Sequence, residues 1–173
     1  LQKLGIEVNI GAAGEFDIQR VSQLTQKTNQ FNLTTRRYSE GQIRELIVDS
    51  KSDVYCIKVR DKISDLGLVG VVIVRCQDDG QFIDSFLLSC RALGRGVEVA
   101  MLSAVVNQNI RQTGKPLVYG QFLATEKNAQ AQDFYSKNKF ECVSEDEKSG
   151  LWVFDACKKA LDLPSWLKVT FGD

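Results

Sequence analysis

The sequence predicts one α/β domain, a mixed and mainly antiparallel sheet with helices on both faces. Three observations carry this. Apolar residues recur at helical spacing over 17–30 and 39–47, then shift to a two-residue period from Val54 onward. Three strand-like segments, Val54–Val59, Gly67–Val74 and Gln81–Ser89, follow one another with only turns between them, as an antiparallel meander requires. A long helical pattern, Val97–Gln112, then separates Gln81–Ser89 from Leu117–Ala124, and such a strand–helix–strand unit admits parallel pairing.

Taken in order, residues 1–16 read as a lead-in, with Gly11–Gly14 flexible and the domain proper running over 17–173. The chain opens on Leu rather than Met, which fits a domain that continues from a preceding one. Asp17 can cap a helix bearing Ile18, Val21 and Leu24 that runs to about Gln30. A polar loop, Asn32–Tyr38, follows. Ser39 and Gln42 have the spacing of a capping box for a second helix, with Ile43, Leu46 and Ile47 inward. Gly67–Val74 is almost continuously apolar, as a strand covered on both faces should be. Asp78-Asp79-Gly80 is a turn signal. Met101, Leu102, Val105, Val106 and Ile110 mark the inner face of the long helix, which Gly114 and Pro116 end. Asn128 can cap a further helix to about Lys137. Phe140–Ser144 and Leu151–Asp155 read as a closing hairpin, and Leu163–Phe171 can add a last strand.

Composition removes whole classes of chemistry. Lys+Arg and Asp+Glu number 22 each, and a neutral chain lacks the basic surplus a general nucleic-acid binder needs. No apolar run approaches the roughly 18 residues that span a bilayer. There is no His, so Ser-His-Asp and Cys-His nucleophile systems and His-ligated zinc are excluded. The five cysteines, Cys56, Cys76, Cys90, Cys142 and Cys157, form no CxxC pair, and no metal is expected. An odd, scattered set suits reduced thiols in a cytoplasm.

The informative stretch is Arg91-Ala92-Leu93-Gly94-Arg95-Gly96-Val97, a turn between a strand and the strongest helix. Two glycines let the backbone turn tightly and approach a ligand, and amides at a helix N-terminus favour an anion. The plain alternative is a tight turn that binds nothing. Arg91-x-x-Gly94-x-Gly96 resembles the Gln/Arg-x-x-Gly-x-Gly/Ala signature of the GNAT superfamily of N-acetyltransferases. One helix and one strand later, NAQAQDFYSKNKF (Asn128–Phe140) resembles that superfamily's Asn…Ala…Phe-Tyr-x-x-x-Gly-Phe element, with Lys139 in place of the usual Gly. RVSQLTQKTNQFNLTTRRY (Arg20–Tyr38) and SFLLSCRALGR (Ser85–Arg95) resemble the carboxyl-terminal region of FkbH-like proteins. Those proteins carry a HAD-type domain (subfamily IIIC) before a GNAT-like one. They move a glyceryl unit onto an acyl carrier protein in polyketide-type pathways. The resemblance implies that this chain is the second half of such a protein, with the HAD-type domain and the carrier protein as partners.

What GNAT chemistry implies here is a set of roles. Leu93, Gly94, Arg95, Gly96 and Val97, with Arg91, would hold the pyrophosphate of CoA or the phosphopantetheine of a carrier protein. Leu88 or Ser89 would offer a backbone N–H to the thioester carbonyl. Asn128 would touch the pantetheine arm, or simply cap its helix. Tyr135 would protonate the leaving thiolate, or simply pack on its helix's inner face. Asp84, expected to share a strand face with Phe82 and Phe86, is the first candidate for general base, and Glu126 the second. Asn29, Asn32, Thr34, Thr35 and Arg36 would bind a polar acceptor, or form a capped connection. Cys90 follows Phe82, Phe86 and Leu88 in strand parity, which predicts an inward, inert thiol. Two functions remain open: an acyltransferase, or an inactive GNAT-fold module that docks an acyl carrier protein.

Overall fold

The computed structural model describes residues 5–172. Its elements are β1 (Ile6–Ala12), α1 (Ile18–Lys27), α2 (Glu40–Val48), β2 (Ser52–Arg60), β3 (Asp65–Cys76), β4 (Gly80–Leu88), α3 (Val97–Thr113), β5 (Leu117–Leu123), α4 (Phe134–Lys137), β6 (Glu141–Glu145), β7 (Ser149–Asp155) and β8 (Leu167–Phe171). One sheet runs in the order β6-β7-β5-β4-β3-β2-β1-β8.

The meander forms as the turns dictate: β2 pairs antiparallel with β3, and β3 with β4. The α3 crossover then lays β5 parallel to β4. The apolar run of β3 serves both faces. Val69, Val72 and Val74 join α3 and α4 in one core, while Val71 and Ile73 join α1 and α2 in the other. The Ser39–Gln42 capping box closes in both directions, and Ile43 and Leu46 are buried one turn on. No helix among the described residues is long and apolar enough to cross a membrane.

Several expectations are corrected. From Ile6 the supposed lead-in is part of the sheet: β1 pairs antiparallel with β2 and parallel with β8, its Val8 and Ile10 buried. Residues 1–4 of that stretch lie outside the described residues. Asp17 does not cap α1. Its Oδ2 accepts from the Gly14 amide at 3.0 Å, making a short 3₁₀ turn over Glu15–Asp17 before the helix. α1 ends at Lys27, three residues early, because the chain turns into the sheet at Thr28. Ile110 lies on the outer side of α3 and is 38% exposed. The helix expected from Asn128 is broken into a 3₁₀ turn, Ala129–Ala131, and the single turn of α4. Lys139, in the place of the family's Gly, takes a left-handed backbone (φ 65), so the conformation is retained without the glycine that favours it.

At Gly80 the β4 backbone comes close to β5, and a Cβ there would stand 1.9 Å from the Leu117 carbonyl oxygen. A main-chain obstacle cannot swing aside. Gly80→Ala is therefore expected to cost about 3 kcal/mol, at the upper end for overpacking. Denaturant unfolding measures it, and an unchanged midpoint would show a looser β4–β5 contact than the one described.

Candidate functional site

The site begins with a bulge. Ser85 pairs with Ile73 and Ile83 with Val74, which leaves Asp84 as the extra residue in β4. A bulge reverses parity. Ile83, Phe86 and Leu88 all face the α3 side, while the Asp84 carboxylate turns to the α1–α2 side. The face expected for Asp84, shared with Phe82 and Phe86, is thus corrected. Asp84 is buried, and its oxygens accept from Tyr38 Oη at 2.5 Å, Ser85 Oγ at 2.9 Å and Arg75 Nε at 3.1 Å. Burial, together with its Asp84 acceptor, holds the Tyr38 phenol above its ordinary range. Three donors leave this carboxylate an anchor for the α1–α2 side instead of a base turned toward an acceptor.

Parallel pairing of β4 with β5 ends at Ile83 and Gly120. Past that point the two strands leave a wedge, and their peptide groups need other partners. The chain supplies them itself. Leu33 N–H donates to Phe86 O at 3.0 Å, Leu88 N–H to Phe31 O at 3.0 Å, and Leu123 N–H to Leu33 O at 2.8 Å. Asn128 Nδ2 donates to Asn32 O and to Leu123 O, both at 2.9 Å. Residues 31–34 are buried. They lie between β4 and β5 as an irregular segment with one isolated bridge from Asn32 to Leu87, in the place where sequence reasoning put a thioester arm.

Side chains fix this clasp. Asn32 Oδ1 accepts from the Thr35 amide at 2.8 Å, and Asn32 Nδ2 donates to Thr28 O. Thr34 Oγ1 and Arg36 Nη1 both donate to the bulge carbonyl of Asp84, and Arg36 Nη2 to Gln121 Oε1. Arg37 Nη2 donates to Asn29 Oδ1 at 2.6 Å. Thr35 adopts φ 52, an uncommon backbone for a β-branched residue. The five residues expected to bind an acceptor lie close together; Asn32, Thr34 and Arg36 are engaged in the clasp, while Asn29 and Thr35 line a surface hollow. Leu88 N–H is taken by Phe31, and Ser89 N–H by Val69 O at 2.8 Å, so neither is free to polarise a carbonyl. Asn128 stands at the N-cap position of the Ala129–Ala131 turn, but its buried side chain makes no cap bond there.

Tyr135 is wholly buried among Phe134, Phe140 and the β5 backbone at Gly120. Its hydroxyl has no partner among the described residues, and burial pushes the phenol far above its ordinary range. Buried in this way, the hydroxyl is closed off from solvent. Glu126 is exposed on a separate surface hollow with Asn29, Thr35 and Arg37. Glu126 thus lies on the surface while Asp84 and Tyr135 are buried.

The glycine turn forms as expected, with Gly94 at φ 75 and Gly96 at φ 86 leading into α3. Its two halves differ. A Cβ on Gly94 would meet open space, beside a pocket of about 400 Å³ that reaches Phe134 and Lys137 of α4. A Cβ on Gly96 would stand 2.7 Å from Pro164 Cγ, because the tail crosses here. Trp166 Nε1 donates to Arg95 O at 2.9 Å, and Arg95 itself is paired with Asp61 at 2.8 Å. Val97 is buried in the core. Glu98, unremarked in the sequence, lies in the first turn of α3 at that pocket. Burial raises its carboxyl above the ordinary range, partly offset by its own amide and that of Gly96. Its Oε2 has no partner among the described residues. A carboxyl thus stands beside the amides of this turn and the tail covers Gly96, while the space above Gly94 is open.

Cys90, expected inward, is exposed, because β4 ends at Leu88 and its parity stops there. Arg91 is exposed beside it and points to a different hollow, at the end of α1.

No family model matches the chain, and no curated protein matches it. Solved structures do. The chain is similar to the PaiA N-acetyltransferase of Thermoplasma acidophilum in complex with coenzyme A, at TM-score 0.68, 12% identity, 86% of this chain and 98% of that one. It is similar to the spermidine N-acetyltransferase of Vibrio cholerae in complex with CoA and spermine, at TM-score 0.65, 13% identity, 87% of this chain and 96% of that one. The ribosomal-protein-S18-alanine N-acetyltransferase of Escherichia coli gives TM-score 0.64 at 11% identity, covering 86% and 94%. The fold is that of the GNAT N-acetyltransferases.

Two expected outcomes follow from the buried groups. Tyr135→Phe removes an unpaired hydroxyl and should stabilise the protein by about 1 kcal/mol, read by chemical unfolding; destabilisation would reveal a partner for that hydroxyl. Glu98 holds its proton more tightly folded than unfolded, so native stability drops as pH rises from about 4.5 through the raised value. Glu98→Gln should therefore raise Tm at pH 7 and leave it unchanged well below that window. An equal gain at both pH values would show that charge is not the cause.

Proposed function

We propose that the chain is the GNAT-fold part of an FkbH-like protein of polyketide-type biosynthesis, and that it receives an acyl carrier protein beside a HAD-type domain instead of acetylating with CoA. The observation that carries this is the clasp. The β4 and β5 peptide groups beyond Gly120 bond to Phe31 and Leu33, and the Leu88 amide is no longer free for a thioester. The buried Tyr135 and the saturated Asp84 point the same way. The FkbH-like reading draws support from the Arg20–Tyr38 and Ser85–Arg95 resemblances, and the first of these stretches contains the clasp itself.

Acyl transfer is the second reading, and the open space above Gly94 favours it. It requires residues 31–34 to leave the wedge. Isothermal titration separates the two. Docking predicts no heat with CoA or acetyl-CoA, and micromolar binding of a holo acyl carrier protein without acyl turnover. CoA binding accompanied by acyl transfer would overturn it.

A further inference from the structure

At the end of α1 opens a pocket of about 390 Å³, separate from the Gly94 turn. Leu24, Phe31 and Leu88 give it an apolar floor, and Arg20, Lys27 and Arg91 stand at its edge. No carboxylate lines it. Among the described residues these three cations make no ion pair, whereas Arg36, Arg44, Arg60, Arg75 and Arg95 are each matched by an acid. Arg20 is held in place, its Nε donating to Leu68 O at 3.3 Å and its Nη1 to Gln23. The carbonyls at the C-terminal end of α1 would oppose an anion, but Arg37 Nη1 donates to Thr25 O and Thr28 O and neutralises them. The result is a cationic mouth over an apolar floor.

We infer that this pocket binds a phosphorylated, largely uncharged chain; resting on the carrier-protein reading, that ligand is the phosphopantetheine arm of an acidic carrier. Its phosphate sits among Arg20, Lys27 and Arg91, and the arm lies over Leu24, Phe31 and Leu88. Guanidinium groups suit a phosphate because they donate in a planar pair. The closed wedge agrees with this: the arm has a route along the outside of Phe31, with no need to displace it.

The probes are 4′-phosphopantetheine, pantetheine without the phosphate, inorganic phosphate, and an acyl carrier protein in holo and apo forms. Cys90 lines the pocket and is exposed, so its alkylation by iodoacetamide, followed by peptide mass spectrometry, reports occupancy directly. Phosphopantetheine should protect Cys90 and leave Cys142 and Cys157 unprotected. It should bind more tightly than either pantetheine or phosphate alone, and Arg91→Gln or Lys27→Gln should weaken it about tenfold. Equal binding of pantetheine, equal binding of inorganic phosphate, or no protection of Cys90 would overturn the assignment. Holo-carrier binding that is insensitive to both variants would also overturn it while leaving the docking function standing. Phosphopantetheine binding with no carrier binding would keep the pocket and remove the docking function.

Discussion

Beyond the four residue pairs that join β4 and β5, the sheet has two inner edges with no strand between them. Buried peptide groups left in that state are costly, so something must fill the wedge. In this chain the filler is covalent, residues 31–34, and most of the site's chemistry is decided by that choice. The amide that a thioester would use is spent, the polar side chains of the loop face inward to hold it, and the Asn that follows β5 bonds to the clasp. The same fold in other proteins accompanies coenzyme A in the solved complexes.

Charge is arranged on the same logic. Asp84 is buried at a bulge, where its carboxylate would be untenable alone. Tyr38, Ser85 and Arg75 meet its oxygens, and Arg36 meets its carbonyl. Since Arg36 also bonds to Gln121 of β5, one guanidinium links both edges of the wedge. Glu98 is the counterexample, a carboxyl held at the α3 N-terminus with one oxygen unpaired. There the helix amides and the burial pull in opposite directions, and burial prevails.

How much of this the sequence could disclose depends on what carries the information. The capping box at Ser39, the meander, the crossover through α3 and the turn at Gly94–Gly96 are written in side-chain types and spacings, and each forms as read. The face of Asp84 is not, because parity holds only along an unbroken pleat and a bulge has no fixed signature in β4. The clasp is made mainly by main-chain groups, which every residue possesses, and an Asn/Thr-rich loop reads equally as ligand site or connection. The cover over Gly96 comes from Pro164 and Trp166, far along the chain. β1 is hidden by its one glycine, since Gly11 suggests a flexible leader and not the end of a strand.

The clasp also sets an order of assembly. Its bonds join Leu33 to Phe86 and Leu123, and Asn32 to Asn128 across 96 residues of sequence. Such distant partners cannot meet until the meander and the crossover are built, because closing long loops is entropically unfavourable before other contacts hold them. The wedge therefore closes only after the meander and the crossover have formed. Until it does, the Leu33 and Leu123 amides have no partner, so in refolding their protection from hydrogen exchange would come after that of β3.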